Sequence, residues 1–193
     1  MAVKKPFVIG VSGDPGSFSE EAARDYAKHA KLKDPLFAYL VTVDAVLRAL
    51  EDGSVSYGIF PVANSIGGIV LEFVHAAAKH NFSVKKIFAI EIHQNLLVRK
   101  GTTAESIMSI MSHDQALKQC KGYLSRVWPK TKTVDYPDTA KAAKDLAGGV
   151  LATTTAVIAS RAAAKLYNLE ILEASIQDLK TNYTTFVAAT RLI

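Results

Sequence analysis

Short β-branched runs in this chain keep giving way to alanine-rich stretches of helical period. FVIGVSG, residues 7–13, reads as a buried strand, and EEAARDYAKHAK after it puts Ala22, Ala23, Tyr26, Ala27 and Ala30 on one helical face. A second helix is expected over Val43–Glu51, capped by Thr42 and closed by Gly53, and the strand VSYGIFPV comes next. VLEFVHAAAKH reads as a third helix turning Phe73, Val74, Ala77 and Ala78 inward. IFAIEI and NLLV are strands, with the polar HQ between them as a bend or crossing point. SIMSIM, HDQALKQCKGYLSRV, KTVDY, TAKAAKDLA, VLAT and TAVIASRAAAKLY then alternate strand with helix, as in a mainly parallel sheet, and LEILEASI and YTTFVAATRLI close the chain as strands.

With 193 residues, 49% of them hydrophobic, the chain can bury a real core in one domain or two small ones. No low-complexity linker or fixed-period repeat separates parts of it. The net charge of +5 comes from scattered lysines, among them Lys4, Lys5, Lys28, Lys31, Lys33, Lys85 and Lys86, interleaved with acids. That pattern suits a small anion rather than a nucleic-acid backbone. IGGIVLEFVHAAA, the best apolar run, is interrupted by Glu72 and is shorter than the roughly 18 residues a membrane span needs. The start, MAVKKPFVIGV, has too short an apolar run for a signal peptide, so a cytoplasmic, unprocessed protein with no membrane partner is expected. The single cysteine, Cys120, allows no internal disulfide, and neither metal nor cofactor is implied.

Five loops hold residues able to carry chemistry, since α/β proteins bind ligands beyond the carboxyl ends of strands, near helix N-termini. GDPGSFS (13–19) can approach a carboxylate through Gly16 and Ser17 next to Phe18, or can simply turn the chain and cap a helix with Ser19. It has neither the Walker lysine nor a GxGxxG pattern. In FPVANSIGG, Asn64 and Ser65 either meet a ligand or cap the next helix. In MSHDQALKQC, Ser112 with Gln115 spells a capping box, while Gln119 shares a face with Gln115 without being required by one. His113 stands alone as a base, with no nucleophile beside it, and Cys120 packs inward. Thr153, Thr154 and Thr155 stand at an expected strand-to-helix junction, and Thr184 and Thr185 precede Phe186 in TNYTTF. Each loop alone is explained more readily by structure than by function.

Their combination is more specific. GDPGSFSEEAA, YGIFPVANSIGGIV, SHDQALKQC, DTAKAA, AVIASRAAAKLYNLEIL and IQDLKTNYTTF, in that order, resemble the successive signatures of the prephenate dehydratase family, including its arogenate dehydratase relatives. The resemblance implies a two-lobed α/β fold of the periplasmic-binding-protein type II kind with a ligand cleft between the lobes. Lobe 1 would take residues 1–77 plus 172–193 and lobe 2 residues 78–171. It implies conversion of prephenate to phenylpyruvate, carbon dioxide and water in phenylalanine biosynthesis, without cofactor, by a homodimer that binds a small anionic substrate. Neither an ACT domain nor a chorismate mutase signature is in the sequence, so feedback within this chain is not expected. Thr184 matches the family's catalytic threonine, and Asn64, Ser112 and Gln119 match residues lining the same site. Gly16, Ser17, Phe18, Ser65, Thr154 and Phe186 complete the candidate substrate-binding set.

The chain departs from the family where Thr-Arg-Phe becomes Thr184-Thr185-Phe186, Pro-Val-Glu-Asn-Ser becomes PVANS at Ala63, and Ser-His-Pro-Gln becomes SHDQ at Asp114. Asp14 also stands where the family is usually neutral, and either Asp14 or Asp114 would repel a dianion if it faced the cleft; a helix-start role is preferred for Asp114. If the missing guanidinium at Thr185 had paired with a substrate carboxylate, its loss would cost about 2 to 5 kcal/mol. That corresponds to roughly one to four powers of ten in rate. The alternatives are a decarboxylase that keeps the ring hydroxyl, an arogenate-using variant, and a non-catalytic binding protein with a degenerate site.

Overall fold

The computed structural model describes residues 7–192, so Lys4 and Lys5 lie outside the described residues. In chain order the elements are β1 (Val8–Val11), α1 (Phe18–His29), β2 (Leu36–Tyr39), α2 (Val43–Glu51), β3 (Tyr57–Asn64), β4 (Gly68–Ile69), α3 (Leu71–Ala77) and β5 (Phe82–Glu91). After them come β6 (Asn95–Val98), a 3₁₀ turn (Ala104–Ser106), β7 (Ser109–Ser112), α4 (Asp114–Gln119), α5 (Lys121–Val127), β8 (Lys132–Asp135), α6 (Thr139–Gly148), β9 (Thr155–Ala159), α7 (Arg161–Leu166), β10 (Glu170–Glu173) and β11 (Tyr183–Arg191). They form two compact α/β units. The first runs to Asp14, resumes at Phe18–Glu91 and takes the segment from Tyr183; the second holds Pro15–Ser17 and Ile92–Asn182. The first unit thus extends past residue 77 to Glu91, because β5 pairs with β11 along its whole length, and the chain leaves it at the HQ break.

In the first unit the strands lie in the order β2-β1-β3-β11-β5, with β4 paired to β3. β1, β2 and β3 are parallel, while β11 is antiparallel to both β3 and β5. The sheet is therefore mixed, because the last strand returns through its middle. Side chains alternate along β11, so Phe186 and Ala188 join Ile9, Val11, Ile59 and the α1 residues Ala22, Ala23 and Tyr26 on one face. Val187 and Ala189 join Phe60 and the α2 residues Val43, Val46, Leu47 and Leu50 on the other. Thr42 caps α2 as expected, accepting from the Ala45 N–H. Three inward assignments fail: Ala30 lies beyond the end of α1 and is exposed, and in the short α3 it is Ala76 that is buried while Val74 and Ala78 face outward.

The second sheet runs β10-β6-β9-β7-β8, with β7, β8 and β9 parallel and β6 antiparallel to β9 and β10. α4 and α5 bury Ala116, Cys120 and Leu124 against Leu96, Ile110 and Ile158, while α6 and α7 bury Ala142, Leu146 and Ala163 against Leu97 and Val157. Here the sequence reading of VLATTTAVIAS is corrected. TAVIA is not the start of a helix but the central strand β9, wholly buried, which favours its β-branched Val157 and Ile158. The helix begins after Ser160, whose Oγ accepts from the Ala163 N–H at 2.9 Å. Among the described residues no helix is long and apolar enough to cross a membrane.

Candidate functional site

In the first unit the chemistry converges on the end of β3 and the start of β11. The register pairs Asn64 directly with Thr184, and Asn64 Nδ2 donates to Thr184 Oγ1 at 2.9 Å and to the Tyr183 carbonyl at 3.1 Å. At its other end Asn64 Oδ1 accepts the Ile66 and Gly67 N–H groups, both at 2.9 Å. The asparagine thus holds the turn after β3 and is itself held, which fixes which of its ends faces Thr184. Ser65 closes the turn on β11: its N–H donates to the Tyr183 carbonyl and its Oγ accepts the Tyr183 N–H. Thr184 is half-buried, and its oxygen already accepts a bond. Its single O–H proton has no acceptor among the described residues, so this hydroxyl is set to donate outward.

Thr185 is different in kind. Its cross-strand neighbours are Ala63 on β3 and Ala89 on β5, and Ala63 in turn pairs with Ile69 on β4. Because alternate residues of a strand point to opposite faces, Thr185 shares the face of Val187, away from Thr184. An arginine at 185 would stand opposite a glutamate at 63, so the two substitutions sit side by side and remove a cross-strand pair.

The second unit builds a buried amide cluster around Gln119. Gln119 Oε1 accepts from Gln94 Nε2 at 3.0 Å and from Asn182 Nδ2 at 2.9 Å. The Gln94 N–H in turn donates to Gln177 Oε1, and the Asp178 N–H to the Gln119 carbonyl. Gln94 and Asn182, which orient it, carry no local sequence signal, since their partners are distant in the chain.

The remaining candidates are dispersed. Ser112 is fully buried at the end of β7 and spends its proton on the Ile158 carbonyl at 2.7 Å. It is not the cap of α4; His113 is, its Nδ1 facing the Gln115 N–H. Asp114 opens α4 and pairs with Lys118 on the surface, in line with the helix-start reading. Thr154 precedes β9 at the end where β9 meets Ser109, so about four residue rises, roughly 13 Å, separate it from the Ser112 end. Phe186, 1% exposed, stacks on Phe88 in the core. Phe18 is half-buried as the first residue of α1, and Ser19 lies within that helix rather than capping it. Gly16 needs to be glycine: its φ is +86°, and a Cβ there would come within 3.0 Å of Ala163 Cα. Its carbonyl accepts from Ser160 Oγ at 2.6 Å, a tie the sequence reading missed, and Tyr167 Oη donates to the Pro15 carbonyl. Ser17 is buried in the same segment.

Outside these clusters, α2, α3 and the α3–β5 turn border an open surface pocket of about 480 Å³ beside Asp44, Arg48, Glu72, Lys79 and His80. His80 bridges Glu51 at 2.8 Å and Asp44 at 3.2 Å, and the Glu51 bond, ahead of the Asp44 bond, raises its pKa. Burial pushes the Cys120 thiol up to about 12. No group of three or more metal-ligating side chains is gathered among the described residues.

Comparison with known proteins places this arrangement. The prephenate dehydratase family profile matches residues 9–191, and the chain belongs to that family. It is 32% identical over 187 residues to the bifunctional chorismate mutase/prephenate dehydratase of Stutzerimonas stutzeri, covering 97% of this chain and 49% of the relative. It is 33% identical over 184 residues to the chloroplastic arogenate dehydratase 5 of Arabidopsis thaliana, covering 95% and 42%. The chain thus spans about half the length of the curated relatives it matches. Its fold matches that of the prephenate dehydratase from Arthrobacter aurescens, solved with L-Phe, at a TM-score of 0.86 and 23% identity over 96% of this chain and 60% of that one. A quorum quenching acylase matches at 0.81 and 24%, over 96% and 64%, so the fold by itself does not select a reaction.

Proposed function

We propose that this chain removes the ring carboxylate and ring hydroxyl from prephenate or its amino counterpart arogenate, yielding phenylpyruvate or phenylalanine with carbon dioxide and water. The observation that carries this reading is the bond from Asn64 to Thr184 Oγ1, which leaves the threonine proton as the one donor of the pair. In the reaction the bond to the carboxylate carbon breaks, its electron pair enters the ring to complete the aromatic system, and the hydroxyl departs with a proton to become water. Aromatisation supplies the driving force, and what a protein adds is a donor at the oxygen where charge develops. An alcohol is too weak an acid to give up its proton outright, so Thr184 stabilises the leaving oxygen by hydrogen bonding, and accepting from Asn64 makes it a better donor. The same bond argues for loss of the hydroxyl rather than decarboxylation alone, and for a catalytic rather than a merely binding site.

The test is to incubate the purified chain with prephenate, quench with alkali and follow the phenylpyruvate enolate, in parallel with arogenate and detection of phenylalanine. Aromatic product from either substrate that falls by about 10²- to 10⁴-fold in Thr184→Ala is the expected result. Release of carbon dioxide without an aromatic product, or product undiminished in the variant, would overturn it.

A further inference from the structure

The amides gathered at the end of α4 in the second unit are linked with a direction. Gln94 Nε2 and Asn182 Nδ2 both donate to Gln119 Oε1, at 3.0 and 2.9 Å. All three residues are buried, Asn182 completely. The backbone beneath them is tied independently of those two bonds. Gln94 gives its N–H to Gln177 Oε1 and accepts from the Ile176 N–H, while the Gln119 carbonyl accepts from the Asp178 N–H and the Asn182 carbonyl from the Ile92 N–H. The contact between Gln94 and Gln119 would be satisfied equally with both amides turned end for end, Gln119 Nε2 then donating to Gln94 Oε1. That oxygen is buried without a partner, so the acceptor for a reversal is already in place. Asn182 Nδ2, facing Gln119 Oε1, opposes the reversal. The two polarities differ in what Gln119 has left to offer: in the observed one its Nε2, which makes no bond among the described residues, and in the other its oxygen.

We propose that Gln94 and Asn182 are positioning residues that set the polarity of Gln119, so that its Nε2 donor and not its oxygen meets a carboxylate of the substrate. This rests on the dehydration reading above, whose substrates, prephenate and arogenate, each carry two carboxylates. An ionised carboxylate only accepts hydrogen bonds, so an amide offering N–H is complementary to it and one offering its oxygen repels it. Holding that polarity before binding spares the site a rearrangement when the anion arrives. The opposing reading is that the three amides only fasten the segment before β11 to α4.

Acid substitutions separate the two, because they reverse the polarity without removing the contact. In Asn182→Asp and in Gln94→Glu the new carboxyl, while protonated, donates to Gln119 Oε1 as the amide did; once ionised it only accepts, and Gln119 must turn its Nε2 toward it. KM and kcat for prephenate and arogenate are measured over about pH 5 to 9, a range in which a buried carboxyl titrates. Taking each KM as a ratio to wild type cancels the titration of neighbours such as His93, Asp178 and Lys180, which all the proteins share. The ratio is expected to stay near unity at the acid end and to rise about tenfold or more at the alkaline end, with kcat changed less. Asn182→Leu loses its bond at every pH but leaves Gln94 holding Gln119, so it should harm KM less than the ionised acid. Gln119→Glu keeps an acceptor for both donors and should hold its melting temperature while KM rises. Circular dichroism checks that each variant is folded. Ratios flat with pH in both acid variants overturn the proposal, as does Asn182→Leu proving worse than Asn182→Asp throughout. A wild type that forms no aromatic product overturns the dehydration reading instead, and the same comparison is then made on the dissociation constant for prephenate by calorimetry. Absence of binding as well overturns both.

Discussion

The two faces of the first unit's sheet differ in what their polar groups are left free to do. On the α1 face, Asn64 is bonded at both ends and hands Thr184 an unspent proton. On the α2 face, Thr185 is paired with Ala63 and Ala89, and the charged groups of that side, His80 with Glu51 and Asp44 before the start of β5, are spent on one another. One face is organised to present a donor to something else and the other to hold its own elements together. Adjacent threonines on one strand thereby acquire unrelated duties.

That contrast is open to attack from either side. The largest effect is expected at Thr184, where removal of the hydroxyl in Thr184→Ala costs about 10²- to 10⁴-fold in turnover with little change in melting temperature, and Thr184→Ser recovers part of the loss. Next comes Asn64→Asp, which keeps an acceptor for the Ile66 and Gly67 N–H groups but draws the Thr184 proton onto the new carboxylate. Turnover should fall by about 10²-fold while the fold persists, measured as kcat beside thermal unfolding.

On the other face His80 is read through stability. Its pKa is raised by Glu51 and then Asp44, so the folded state favours the protonated ring. The stabilisation is complete below the unfolded value of 6.5 and is lost as pH rises through the higher folded value. A melting temperature that declines over that window in the wild type, and does so less in His80→Gln, is the expected outcome. The smallest effect belongs to Thr185→Arg: as a cross-strand residue it should be worth about 1 kcal/mol or less, with Ala63→Glu strengthening it. It should appear in thermal unfolding and leave turnover essentially unchanged. A gain of a hundredfold would mean that residue 185 reaches the substrate after all.

Much of the first unit was legible because its signals are local. The β1–α1 alternation, the Thr42 cap, Gly53 beyond α2 and the HQ crossing all depend on neighbours within a few residues. The second unit resisted at TAVIASRAAA, where an alanine-rich run suits strand and helix alike, and packing between β6 and β7 decided for strand. Thr184 and Asn64 were found through family signatures, yet the bond that gives them meaning links residues 120 positions apart. Gln94 and Asn182 were invisible for the same reason, their partner Gln119 lying 25 and 63 positions away. That Thr185 faces away from Thr184 is a matter of strand geometry alone; which face mattered, and that Ala63 lay opposite, required the register.

Cys120 has a practical consequence. It is the sole thiol of the chain, belongs to the second unit, is fully buried, and is held protonated at neutral pH by a pKa of about 12. An alkylating reagent can reach it as thiolate only when α4 and α5 lift from their sheet. The rate of modification in native buffer is therefore a clock for the opening of the second unit alone, to which motions of the first contribute no signal, and it needs no engineered label.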